Sequence, residues 1–479
     1  MAIIDNRRFI TELEKTGDVV RVGKEVDWDC EAGAIVRRLC ETEGPAALFE
    51  NIRDYPGHRI LGAPLATFRR AAVAMGLPVD TPVREICWEF ERRLKSPINP
   101  TIVANAPCQE NLLLGDAVDL TLFPAPMVHD GDGGRYIASW HAIITKDPET
   151  NEYNWGMYRQ MIHDEKHLGG LMLPGSGGGR HRAKWEARGQ PMPFATVIGA
   201  DPCSMMAACT PLPPEIPTTE AQLTGGLLGQ PVELVGAKTV DLEVPAHAEI
   251  VIEGYLVPDA LVEEGPFGEF TGYRSSPRVP RGLFRVTAIT WRNNPILTMS
   301  NMGIPQDDSH VVTAALGARA VIKDRLERMG VPIVDVYVPP EGVSNLVIVS
   351  TRKPYEHVAD NIVYAMSASP YLTIYGLVTI VVDEDVDPYD WKQVVHAIAS
   401  KCHPLKGVRT FPSIGNPLTP SLSLEERKWG RGGKMLLDCL WPLDWDPETE
   451  KPVKSSFKAI YPPALQEQVL GNWQEYGFE

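Results

Sequence analysis

The chain has 479 residues, with 46 Lys and Arg against 62 Asp and Glu and a formal net charge of −16. One hydrophobic core seldom grows past about 250–300 residues, so two or three domains are expected, and 44% hydrophobic with 23% charged residues argues against wholesale disorder. The acidic balance excludes a general electrostatic surface for nucleic acid, and no apolar run approaches the ~20 residues of a membrane helix.

Residues 1–115 read as a small α/β domain. Asp5 can cap a helix whose Phe9, Ile10 and Leu13 share one face and which Gly17 ends. Residues 19–22 read as a strand, 32–39 as a helix stopped at Gly44-Pro45, and 47–52 as a strand. A Pro-rich link, Phe123-Pro124-Ala125-Pro126, and a polar turn, His129-Asp130-Gly131-Asp132-Gly133-Gly134, fall in a β-rich unit spanning 116–305. Its short apolar and β-branched runs at 137–144, 194–198, 249–256, 284–290 and 296–300 predict a barrel or sandwich, with a helix at 219–228 between them. Residues 306–440 alternate over longer spans: helices at 311–328, 358–368 and 390–401, strands at 333–338, 346–350 and 377–382. This is a second α/β domain, expected to serve association. Past 410 the Gly-, Pro- and Ser-rich chain reads as irregular. The segment 441–479 ends in a helix at 463–476, docked on a neighbouring subunit or on its own domain.

Four stretches can carry chemistry. In Asn154-Trp155-Gly156-Met157-Tyr158-Arg159, Gly156 lets backbone approach a ligand, Asn154 offers an oxygen to a metal, and Arg159 can grip a carboxylate with two bonds. A plain strand with a surface Arg is the alternative. Further on, Glu264 and Glu269 flank a rigid Gly265-Pro266-Phe267-Gly268 turn, which can hold two carboxylates toward one point; a solvated acidic hairpin is the alternative. Residues 175–182 are Gly-rich and lead into Arg180, Arg182 and Lys184. They can cradle phosphate, yet match no phosphate-loop spacing and read alone as a flexible loop. Gly430-Arg431-Gly432-Gly433-Lys434 is a second stretch of that kind. His163 and His167 lack the Glu of a zinc helix and read as a turn, and no nucleophile motif supports a hydrolase. The eight scattered Cys, without a C-x-x-C pair, and a charged N-terminus point to a reduced, cytoplasmic setting.

In order and spacing these elements resemble the UbiD family of decarboxylases, which use prenylated FMN. The likeness extends over nearly the whole chain, from residues 17–22 and 44–51 to the stretches N-W-G-M-Y-R and E-G-P-F-G-E-F-T-G-Y. It implies a mixed α+β fold: a split β-barrel flavin-binding domain flanked by a small N-terminal α/β domain and a C-terminal α/β association domain with a terminal helix. It implies that Asn154 and Glu220 hold a divalent metal, manganese or magnesium, at the flavin phosphate beside a potassium ion. Gly156, Met157, Tyr158 and Ala208-Cys209-Thr210 would line the flavin, and Lys434 would lie near its phosphate. The family's third metal ligand is a His. His181 is the nearest candidate, about one helical turn later than the family pattern, with Ser176 or water as the alternative.

Arg159, Glu264 and Glu269 match the family's Arg-Glu-Glu network, in which Arg159 holds one Glu ionised and helps place the substrate carboxylate, while Glu269 or its neighbour returns a proton. Asp307 and His310 lie where the family lines its substrate pocket. They would meet a phenol hydroxyl or ring nitrogen, or else begin a helix. The activity implied is reversible, non-oxidative decarboxylation of an aromatic, heteroaromatic or α,β-unsaturated acid, releasing CO2. A flavin prenyltransferase would supply the cofactor, the enzyme would form a homodimer or larger homo-oligomer, and neither nucleic acid nor membrane would be a partner. The alternatives are an FMN-dependent oxidoreductase on a split barrel and a non-catalytic homologue.

Overall fold

The computed structural model describes residues 2–274 and 276–478. Helix ends follow local chemistry. The Asp5 side chain accepts the Arg8 N–H at the start of Asn6–Thr16, and Gly17, at φ 75°, ends it in a left-handed conformation. Phe9, Ile10 and Leu13 are buried, as a 3.6-residue period requires. Thr219 and Gln222 form a capping box that opens Glu220–Leu228.

Three larger sheets set the architecture. The N-terminal sheet runs Val19–Val22, Ala46–Phe49, Arg59–Gly62 and Ile296–Met299. The C-terminal sheet runs Ile333–Tyr337, Leu346–Thr351, Val378–Asp383, Arg431–Cys439 and Val408–Ile414. Between them lies a nine-stranded antiparallel sheet, the split barrel. Its order is Tyr136–Ala138, Gln160–Ile162, His167–Gly170, Val279–Trp291, Ile250–Glu264, Met192–Ile198, His141–Lys146 and Tyr153–Gly156, with Asn111–Leu114 added on Val279–Trp291. Strand pairing crosses the expected divisions at 115 and 305: residues 111–114 join the barrel sheet, and 296–299 return to the N-terminal one. A strand's periodicity says which face is buried and not which sheet it joins.

The structure corrects other expectations. The 137–144 run is two strands that pair toward opposite ends of the barrel sheet, so Ser139-Trp140 carries the chain across the split. The Gly-rich stretch is no flexible loop: Ser176 caps the helix Gly177–Ala187, accepting the Gly179 N–H at 3.1 Å. Its glycines reflect close packing, since a side chain at Gly177 would collide with Asn154 and one at Gly179 with the Leu173 carbonyl. The 311–328 helix forms, but His310–Ala318 is π-wound before Arg319–Arg328 turns α-helical. Two strands, 408–414 and 431–439, occupy ground expected to be irregular; Gly432 lies against Gly415, and paired glycines hide the alternation. The terminal helix is Pro463–Gly471, shorter than expected and exposed along its length. Among the described residues no helix is long and apolar enough to cross a membrane.

Candidate active site

Arg159 lies in the bend between Tyr153–Gly156 and Gln160–Ile162, Glu264 ends the long strand Ile250–Glu264, and Glu269 follows the Gly265–Gly268 turn. The fold brings all three together out of solvent, with side chains 6%, 0% and 4% exposed. Arg159 grips Glu264 with two bonds, Nε to Oε1 at 2.9 Å and Nη2 to Oε2 at 3.1 Å, and its Nη1 contacts Glu269. Tyr136 donates a further bond to Glu264 at 2.7 Å. Burial, reinforced by the Glu264 charge, pushes the Tyr136 phenol well above its ordinary range and keeps it a neutral donor. The Arg159 guanidinium also lies 5.3 Å from the Phe267 ring centroid. Sequence reasoning missed Tyr136 and Phe267. Phe267, inside the second motif, was a visible signal, but Tyr136 lies outside both motifs, and its bond to Glu264 is set by the strand pairing.

A second constellation forms around Tyr153–Gly156. Asn154 packs against Gly177 at the start of the Gly177–Ala187 helix. One turn along that helix, His181 Nδ1 lies 2.9 Å from Thr145 Oγ1, and Thr145 is the cross-strand partner of Asn154. That bond orients the ring with Nε2 free, and burial pulls the imidazole down to about 4, so it is neutral as a metal ligand must be. Glu220, at the start of its helix, accepts a backbone bond from Trp155, and burial pushes its carboxyl up to about 7. Asn154 and Glu220 thus meet at the strand Tyr153–Gly156, and His181 at its neighbour His141–Lys146. Among the described residues no three His, Cys, Asp or Glu side chains cluster as a metal site, so any site here is a mixed set of amide, imidazole and carboxylate. Of the three basic residues on the helix, Lys184 pairs with Asp147 and Arg182 with Glu186; Arg180 instead stacks 4.3 Å over Tyr371.

The expected flavin-lining residues are mostly withdrawn from water. Gly156 faces the Tyr158 ring, and Tyr158 Oη accepts the Gly178 N–H at 3.0 Å; Met157 is part-buried beside them. Ala208, Cys209 and Thr210 end a helix against the π-wound segment, where Thr210 meets Gly317. Burial pushes the Cys209 thiol up to about 12. Lys434 is 3% exposed and donates to the Tyr375 carbonyl at 2.6 Å; no carboxylate among the described residues pairs with it, and burial lowers its ammonium to about 8.

Asp307 and His310 differ from the substrate-binding expectation. Both are fully buried with polar atoms turned to protein. Asp307 accepts backbone N–H groups of Gly303, Ser309 and His310, and His310 Nε2 donates to the Phe270 carbonyl at 2.5 Å. Burial opposes charging of His310, but the adjacent Asp307 outweighs it and raises the imidazole. The helix-start alternative describes them better, and they pin the residue after Glu269. The His163–His167 stretch is a turn, with His167 bonded to Asp164.

Three family models match in chain order: the 3-octaprenyl-4-hydroxybenzoate carboxy-lyase N-terminal domain over residues 10–90, its Rift-related domain over 101–305 and its C-terminal domain over 311–439. A pyrrole-2-carboxylic acid decarboxylase of Pseudomonas aeruginosa is 35% identical over 99% of this chain and 98% of its own. The chain belongs to the UbiD family of carboxy-lyases. Membership decides for a decarboxylase over a flavin oxidoreductase or a protein without chemistry. Among solved UbiD-type structures, the vanillic acid decarboxylase of Sedimentibacter hydroxybenzoicus in closed form gives a TM-score of 0.90 at 29% identity, covering 99% of both chains. Two open forms of that protein give 0.86 and 0.83. HmfF of Pelotomaculum thermopropionicum, in complex with FMN, gives 0.80 at 28% identity, covering 98% of this chain and all of its own. An evolved dimeric HmfF, in complex with prFMN, gives 0.78 at 27% identity, covering 98% of this chain and 99% of its own.

Proposed function

We propose that this UbiD-family chain removes CO2, without oxidation, from an aromatic, heteroaromatic or α,β-unsaturated carboxylic acid, with Arg159, Glu264 and Glu269 as the catalytic set. The observation that carries the reading is the burial of one guanidinium between two carboxylates. Glu264 takes three donated bonds, two from Arg159 and one from Tyr136, and serves as the fixed anion. Glu269 has fewer donors. Arg159 is the cation shared by the two carboxylates, and the part-buried Arg281 couples to Glu264 rather than Glu269, so a proton on Glu269 relieves the crowding of negative charge. Arg159 helps place the substrate carboxylate, and Glu269 then gives its proton to the carbon that CO2 has left. Net turnover takes up one proton from solvent.

The structures of HmfF with FMN and prFMN support prenylated FMN as cofactor. When bound, it supplies the electron sink for the pair left by the departing carboxylate. The residues present fit such a group. Lys434, buried with no carboxylate partner among the described residues, suits its phosphate, while Gly156, Met157, Tyr158, Ala208, Cys209 and Thr210 would line the flavin. Asn154, His181 and Glu220 would hold manganese or magnesium at that phosphate, with potassium beside it; a divalent cation would let the buried Glu220 ionise. Cofactor supply by a flavin prenyltransferase, homo-oligomeric assembly and a reduced cytoplasmic setting complete the reading. Exposed apolar residues of the terminal arm and eight free cysteines support the last two.

The test is production together with a flavin prenyltransferase and assay on pyrrole-2-carboxylate, ferulate and vanillate. Glu269→Gln is expected to keep flavin absorbance and lose roughly 10²–10⁴-fold in turnover. Normal turnover in that variant removes Glu269 as donor. Absence of both flavin absorbance and turnover in the unmodified protein overturns the whole reading.

A further inference from the structure

The polar turn at 129–134 lies outside the catalytic set, yet its contacts lead to it. The Asp132 carboxylate is fully buried, and the nearest Arg or Lys, Arg274, is 3.7 Å away. Such a carboxylate is costly unless N–H donors surround it. Three do: the His129 backbone N–H to Oδ2 at 3.0 Å, His129 Nδ1 to Oδ2 at 2.8 Å, and the Gly268 backbone N–H to Oδ1 at 3.1 Å. The first is local and would suffice for a surface turn. The third joins the turn to the residue immediately before Glu269.

Other contacts tie the same two segments. The Gly133 N–H donates to the Pro266 carbonyl at 2.7 Å. A side chain at Gly133 would collide with the Gly265 carbonyl, and one at Gly268 with the His129 ring. His129 is held in turn, its Nε2 2.8 Å from the Met302 carbonyl and its ring meeting Phe267 edge-on at 5.5 Å. Phe267 packs at 4.3 Å on Tyr136, the residue that donates to Glu264. The backbone between the two carboxylates therefore rests on the 129–134 turn at both ends.

We propose that Asp132 is a positioning residue for Glu269: with His129 it makes the 129–134 turn a template that fixes the 265–268 backbone and so the placement of the second carboxylate. The proposal rests on the reading of Glu269 as proton donor. Asp132 touches no reacting atom and acts through the Gly268 N–H and the His129 ring.

The test compares Asp132→Ala, which removes the acceptor of all three bonds, with Asp132→Asn, which keeps one oxygen for Gly268. Both are made in the flavin-loaded enzyme and assayed on the best-used acid of the panel. In the Ala variant kcat is expected to fall at least about tenfold, with KM within about threefold. Amide hydrogen exchange over 264–274 should accelerate while exchange over 333–351 stays unchanged. Asp132→Asn is expected to recover most of that protection and part of kcat. Unchanged kcat and exchange in Asp132→Ala overturn the proposal. So does loss of fold or flavin in both variants, which would make the turn purely structural. Glu269→Gln in the same assay separates the layers: normal turnover there sinks the donor reading, whereas a dead Glu269→Gln beside unaffected Asp132 variants sinks this inference alone.

Discussion

At the scale of single residues, the site is built from charges that the fold pays to bury and then matches. Lys434 is the plainest. Its ammonium is lowered from 10.5 to about 8 by burial, so the folded state disfavours the charged form. Below about pH 8 the group is protonated in both folded and unfolded chains and the full penalty applies. It fades as pH rises from about 8 to 10.5, and above that it is gone. Lys434→Met is therefore expected to stabilise the flavin-free protein by up to about 3 kcal/mol at pH 7, with no gain near pH 11, as read by urea unfolding at the two pH values. The same variant should retain less flavin, because the positive group proposed to meet its phosphate is lost. Arg159, Glu264 and Glu269 stood out as candidates in their motifs, but the residues alone left a surface Arg and an acidic hairpin open, and only the family resemblance joined the three into one set. Thr145, which orients His181, did not stand out: its partner is set by strand register, and nothing local in His141–Lys146 signals it.

At the scale of elements, the helix Gly177–Ala187 is the most informative departure from expectation. Three glycines in a first turn each cost about 1 kcal/mol relative to alanine in a helix, which is why the stretch looked like a loop. They remain because the helix start presses on Asn154, Tyr158 and Leu173. Gly177→Ala is thus a contest between propensity and contact. Propensity alone predicts a more stable helix, while the collision with Asn154 predicts displacement of a metal-ligand candidate. The contact should win, with overall secondary structure by circular dichroism unchanged and manganese affinity by calorimetric titration reduced roughly 10–100-fold. Equal affinity would dissociate Asn154 from metal binding. Helices with a cap and a single apolar face, such as Asn6–Thr16, were legible to within a residue. The π-winding of His310–Ala318 was not, because an apolar Ala-, Val- and Leu-rich run has the same pattern for either winding.

At the scale of the whole molecule, the strand pairing that ties one part of the chain to another leaves no mark in the sequence. The terminal arm shows why composition is a limited guide. Phe457, Ile460, Tyr461, Leu465 and Leu470 are each at least 38% exposed, an apolar surface concentrated in one short stretch. If that surface serves assembly, deletion of residues 447–478 should lower the mass measured by light scattering toward that of one chain. An unchanged mass would assign assembly to another surface. The strand Ile296–Met299 has a consequence for how the protein is made. It closes the open edge of Arg59–Gly62, so during synthesis the N-terminal sheet waits, one strand short, until the whole barrel has left the ribosome. The N-terminal sheet, begun before the barrel, is completed only after it. Fragments cut near residue 115, between the N-terminal sheet and the barrel, would each lack a strand that the other holds, and the enzyme would be recovered from two pieces only when both are present as they fold.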